Sequence, residues 1–182
     1  DCAVVFTKGH CVPWGQYGDH YKLLCTYSGW WNNLQARDSV EILPYTTAGE
    51  NYLSFIWHCG TANSYPSVDH QDGDGPTGMC YAFTHDNSMN SYSSWGDRAY
   101  LGWYCSEGCP SPQFETQMYG GSNWWWANFA MMFWYGMVYW GWSVYEAIYY
   151  ISYEVWNEYW LFTPLYNWLI VYGNMNTELP NW

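Results

Sequence analysis

Short apolar runs bounded by Gly, Pro, Asn and Asp set the rhythm of this chain. The run at 3–8, Ala-Val-Val-Phe-Thr-Lys, has the length and β-branched content of a buried strand. A Gly/Pro loop follows around Val12-Pro13-Trp14-Gly15, and residues 21–27 fit either a strand or one turn of helix. Ser39 to Pro44 reads as a short strand closed by proline, and 52–58 as a second fully buried strand. Residues 60–98 are dense in Gly, Ser, Asn, Asp and Pro and form a long loop excursion, with room for one strand at 79–84. A strand at 98–104 comes next. The apolar stretch from Asn123 to Trp140 is predicted helical, opened by Ser122 or Asn123 as cap. Ser143 followed three residues later by Glu146 is a capping box, and it starts a second helix running to Trp156. Residues 167–173 supply a last strand.

Strands that alternate with helices predict an α/β fold, a mainly parallel sheet flanked by helices. At 182 residues one domain spanning 1–182 is expected, and no internal repeat is evident. The uncharged stretch 124–142 raises the question of a membrane span. Gly136 and Gly141 interrupt it, its aromatics are spread along its length, and Glu146, Glu154 and Glu158 follow closely. A buried or assembly-facing helix is the better reading, and no membrane span is expected.

Charge narrows the function classes. Four Lys+Arg against 16 Asp+Glu give a net charge of −12, which leaves nothing to neutralise phosphates, so nucleic acid and anionic lipid are poor partners. Aromatics at 24 %, including 16 Trp and 20 Tyr, demand burial and argue against disorder. An acidic, Lys-poor, aromatic-rich chain suits an extracellular or cell-surface protein, and self-association through aromatic contacts is expected. The seven cysteines fit that setting: with Cys59 set aside as a reactive thiol, six remain for three disulfides whose pairing the sequence does not give. Cys105 and Cys109 are spaced C-x3-C without a second pair, so a structural zinc site has little support. No signal peptide is visible ahead of the first strand, which implies either its removal or a longer precursor.

Two of the apolar runs end in residues fit for covalent chemistry: the first in Gly9-His10, the second in Cys59-Gly60. A base and a thiol at the carboxyl ends of neighbouring parallel strands have the makings of a thiolate nucleophile. The bland alternative is a core or disulfide cysteine and a loop histidine. His58 falls on the other face of the strand from Cys59 and reads as a packed histidine. Asp69, Asp72 and Asp74 lie among glycines in a run with the oxygen density that Ca²⁺ takes, although no glutamate completes an EF-hand loop; a solvated acidic turn is the alternative. No cofactor is otherwise required. Trp30-Trp31 and Trp124-Trp125-Trp126 fit packing under a loop and a helix buried on one side, with stacking on sugars as a further option.

In order along the chain, these segments resemble the later part of a caspase-like cysteine peptidase, the grouping of metacaspases, legumains and gingipains. Val4 to His10 is similar to the family's strand ending in a histidine motif, and Phe55 to Ala62 to the strand ending in the nucleophilic cysteine. Ala99 to Ser106 resembles the strand lining the primary specificity pocket. Phe129 through Ala147, with Gly141-Trp142-Ser143-Val144-Tyr145-Glu146-Ala147, resembles the late helix pair. Leu169 to Asn174 resembles the closing strand, with Asn174 where many relatives carry Asp. The family's first strand–helix units would lie before Asp1.

The resemblance implies a three-layer sandwich, Cys59 as nucleophile, His10 as its partner, backbone N–H groups of Gly9 and Cys59 at the oxyanion, and Tyr104 and Ser106 in the substrate pocket. A peptide or protein would be the substrate. Two positions depart from the pattern: Cys11 stands where glycine usually follows the histidine, and Trp57-His58 where Asp/Glu-Ala usually precedes the cysteine. They leave a catalytically degenerate relative as an equal reading. The rival is a structural subunit of an extracellular filament or surface layer.

Overall fold

The computed structural model describes residues 4–8, 10–14, 20–25, 34–37, 42–46, 51–57, 61–62, 78–86, 98–104, 124–158 and 168–180. Strands β1 (Val4–Lys8), β5 (Leu53–Trp57), β6 (Ala99–Trp103) and β7 (Leu169–Gly173) form one sheet in the order β1-β5-β6-β7. The first two interfaces are parallel and the last is antiparallel. The class is α/β, as the alternation of elements predicts. Strands β2 (His10–Trp14), β3 (His20–Cys25) and β4 (Leu34–Arg37) form a separate antiparallel sheet with β3 in the middle.

Alternation along each strand divides the core into two layers. Leu53, Phe55 and Trp57 of β5, Ala99, Leu101 and Trp103 of β6, and Leu169 and Val171 of β7 pack on one face. Helices α2 (Trp124–Tyr139) and α3 (Val144–Trp156) cover that face through Phe129, Phe133, Met137, Ala147, Ile148 and Ile151. Ile56, Tyr100 and Tyr172 point the other way, onto helix α1 (Met79–Thr84) and Ile42. Both faces of the sheet are therefore buried, which is why β5 and β6 read as continuous apolar runs.

Three local expectations are corrected. Residues 79–84 form a helix instead of a strand: five of its six residues are buried, so the run carries no polar face to reveal its period. Residues 12–14 belong to a strand instead of a loop; Pro13 is tolerated because β2 is an edge strand. Pro44 does not close a strand but sits in the first turn of a 3-10 helix, Leu43–Tyr45, where its fixed φ is already suitable. Of residues 21–27, open between strand and helix, 21–25 belong to the strand β3, and 26–27 lie outside the described residues. The long excursion at 60–98 lies mostly outside the described residues.

The capping box at α3 forms as predicted. The Glu146 N–H donates to Ser143 Oγ at 3.2 Å, and the Ser143 N–H donates to Glu146 Oε2 at 3.0 Å. Helix α2 is 16 residues long, short of the roughly 20 that a bilayer core requires. Among the described residues no helix is long and apolar enough to cross a membrane.

Candidate active site

Strands β1 and β5 are direct neighbours in parallel register, from Val4 opposite Leu53 to Lys8 opposite Trp57. In sequence, His10 stands two residues beyond Lys8 and Cys59 two residues beyond Trp57. His10 opens β2, where its backbone pairs with Leu24, and Cys11 pairs with Leu23. Cys59, Gly9 and Ser106 lie outside the described residues, as do Asp69, Asp72 and Asp74, His58 and the Trp30-Trp31 pair.

The chain on either side of residues 58–60 is held firmly. Trp57 is 1 % exposed and lies against Trp103, ring centroids 4.7 Å apart. Thr61 and Ala62 are buried as well. Thr61 Oγ1 donates to the Ile56 carbonyl at 3.1 Å, so the chain folds back on the strand it has just left. The same oxygen accepts the Trp103 N–H at 3.1 Å. The Ala62 N–H donates to the Trp103 carbonyl, the Tyr100 hydroxyl to the Thr61 carbonyl at 2.9 Å, and the Tyr172 hydroxyl to the Ala62 carbonyl at 3.0 Å. Five hydrogen bonds in a buried setting thus fix two residues, each a group whose loss would leave a polar atom stranded. Sequence reasoning missed Thr61, Tyr100 and Tyr172 as positioning residues. One signal was present: Gly102 inside β6, because glycine within a strand marks a close approach. A Cβ there would come within 2.8 Å of Tyr100 Cε1 and 3.0 Å of Thr61 Oγ1.

Tyr104 follows the carboxyl end of β6, at the same edge, and is 44 % exposed. Its N–H donates to the Trp168 carbonyl at 2.7 Å. Asn174 lies at the opposite edge. There its N–H donates to the Arg98 carbonyl and its Oδ1 accepts the Asn176 N–H at 2.9 Å, so its side chain closes a turn.

Cys80 is a reduced, fully buried thiol on α1, which corrects the expectation that all six cysteines other than Cys59 are bridged. Burial pushes its thiol far above the ordinary value, opposed in part by a hydrogen bond with Thr84 and assisted by the Asp86 charge. A thiolate is disfavoured there, so Cys80 does not compete with Cys59 for the role of nucleophile. Among the described residues no group of three His, Cys, Asp or Glu could hold a metal ion. Comparison with protein-family models, with curated proteins and with solved structures finds no match.

Proposed function

We propose that this chain is a caspase-like cysteine peptidase of the extracellular space or cell surface, or a relative of that fold that has lost catalysis. One observation carries the reading: β1 and β5 are parallel neighbours in a register that leaves His10 and Cys59 the same number of residues past the paired ends. The antiparallel closing strand β7 and the helix pair α2–α3 follow in the order in which the resemblance has them. The hydrogen-bonded Thr61–Ala62 segment supplies the rigidity that a nucleophile needs just ahead of it.

In this reading the Cys59 thiol gives its proton to His10, and the thiolate attacks the carbonyl carbon of a peptide bond, forming a C–S bond. The resulting oxyanion accepts hydrogen bonds from the backbone N–H groups of Cys59 and Gly9, a contribution of roughly 3 kcal/mol per donor in other enzymes. Collapse breaks the C–N bond, and the leaving amine takes the proton from His10. Water then hydrolyses the thioester and restores the thiol. Tyr104 and Ser106 border the substrate side chain, and Asp69, Asp72 and Asp74 would hold a Ca²⁺ ion on the excursion between β5 and β6.

A peptidyl acyloxymethyl ketone tests this. Cys59 is the labelled residue by peptide mapping, and His10→Ala slows labelling by an order of magnitude or more. Equal labelling rates in the two proteins, or Cys59 recovered in a disulfide, would sink the proposal. A second reading, a subunit of an extracellular filament, is favoured by the exposure of Tyr135, Tyr139 and Trp140 on and just beyond α2. Its mark is assembly that persists in Cys59→Ala.

A further inference from the structure

The aromatic surface of α3 borders an acidic groove at the edge of the sheet opposite the candidate active site. Tyr145, Glu146, Tyr149 and Tyr150 from α3 face Asn176 and Glu178 from the segment after β7, around a cleft of about 470 Å³. Asn176 and Glu178 also line a second cleft of about 380 Å³ that extends to Tyr52.

The walls are fixed by named contacts. Tyr145 and Tyr149 are stacked, centroids 5.9 Å apart, and Tyr149 meets Tyr150 edge-on at 5.5 Å. Tyr150 rests on Trp142 at 4.9 Å. The capping box orients the Glu146 carboxylate through Oε2. Opposite it, the Thr177 N–H and Oγ1 both bond the Asn174 carbonyl, which stiffens the turn that carries Asn176 and Glu178.

The chemistry of these walls selects the occupant. A helix N-terminus ordinarily attracts anions, but here its donors are already satisfied. The Val144 N–H bonds the Thr177 carbonyl, the Tyr145 N–H the Met175 carbonyl, and the Glu146 N–H Ser143 Oγ. The described lining presents two carboxylates, Glu146 already oriented through Oε2, and three tyrosine rings, with Tyr145 and Tyr150 each more than two-fifths exposed. That combination fits a cation laid over a ring face and paired with a carboxylate. Among the described residues the lining of the groove holds no lysine or arginine. Lys8, Lys22 and Arg37 are on β1, β3 and β4, and the Arg98 guanidinium donates to the Thr84 carbonyl at 2.7 Å. A second copy of a chain with net charge −12 brings like charge to this face.

We infer that this groove is a docking site for a basic peptide segment, its arginine or lysine side chains seated over Tyr145 and Tyr149 between Glu146 and Glu178. The site is independent of the chemistry assigned to Cys59.

Titration with an octa-arginine peptide, followed calorimetrically and by aromatic emission, tests it. The wild-type chain binds. Tyr145→Leu combined with Glu178→Gln weakens binding about tenfold, the loss expected for one exposed cation–π contact and one ion pair. Tyr145→Phe, which keeps the ring face, retains affinity, and so does Asp86→Asn, which removes one charge beside α1. Matching far-UV dichroism of the variants shows that α3 is intact. A loss no greater than that of Asp86→Asn means only general attraction to an acidic protein and overturns the inference. So does preferential binding of uncharged cellohexaose, or a dimer in which Tyr145 is buried.

Discussion

Thr61 and Trp103 are joined by a hydrogen bond from the Trp103 N–H to Thr61 Oγ1, and the Trp103 carbonyl in turn accepts the N–H of Ala62, next to Thr61. The Thr61 hydroxyl hydrogen is directed to the Ile56 carbonyl. One side chain thereby ties the end of β5 to the end of β6 across the segment that holds Cys59.

Thr61→Val keeps the shape and removes the hydroxyl. The buried Ile56 carbonyl loses this donor and the Trp103 N–H this acceptor, at a cost of roughly 1–3 kcal/mol. Urea unfolding should show that loss, and Thr61→Ser should recover most of it. If Cys59 is the nucleophile, its labelling slows in Thr61→Val while the global fold remains.

Gly102→Ala tests the close approach between β6 and the same segment. The added methyl would meet Tyr100 Cε1 at 2.8 Å and the Thr61 carbonyl carbon at 3.1 Å, both in buried residues. Overpacking of this kind costs about 1–3 kcal/mol. A smaller loss is expected in Tyr100→Phe, which removes only the hydroxyl bonded to the Thr61 carbonyl. An unfolding midpoint unchanged in both variants would mean that the segment is not packed as described.

How far the fold was legible depended on the range of the interactions involved. The strands at 53–57, 99–103 and 169–173 announce themselves because a sheet buried on both faces needs continuous apolar runs, and the edge strand at 4–8 by its short β-branched run. The start of α3 is equally plain, because Ser143 and Glu146 make a local motif with a single geometry. Helix 79–84 was hidden for the opposite reason: burial on nearly every side erased its periodicity. The positioning residues were hidden by distance along the chain. Tyr100 and Tyr172 reach Thr61 and Ala62 across 39 and 110 residues, and nothing local in a strand tyrosine says that its hydroxyl has a carbonyl to find. The acidic groove likewise exists only once the segment after β7 is folded against α3.

Ser143→Ala removes the acceptor for the Glu146 N–H and one of the donors to its carboxylate. Loss of such a cap costs about 1 kcal/mol. Ser143→Thr should retain nearly all the stability. Because Glu146 lines the acidic groove, Ser143→Ala should also weaken octa-arginine binding, whereas the thiol reactivity of Cys59 should not change.

Cys80 makes stability depend on alkaline pH. Burial raises its folded-state value far above the ordinary thiol value of 9.0, so the native state keeps the proton where the unfolded chain releases it. The unfolded state then binds fewer protons than the native state, and the slope of unfolding free energy against pH is negative. The contribution is fully present below about pH 8 and declines as pH passes the unfolded value, approaching about 1.4 kcal/mol per pH unit for one proton. Denaturant unfolding of wild type and Cys80→Ala between pH 7.5 and 10 isolates it, because tyrosine ionisation is common to both. The two curves should converge as pH rises, the wild type losing its advantage. Parallel curves would mean that Cys80 is not the buried thiol described, and rapid alkylation of Cys80 in the folded protein at pH 8 would point the same way.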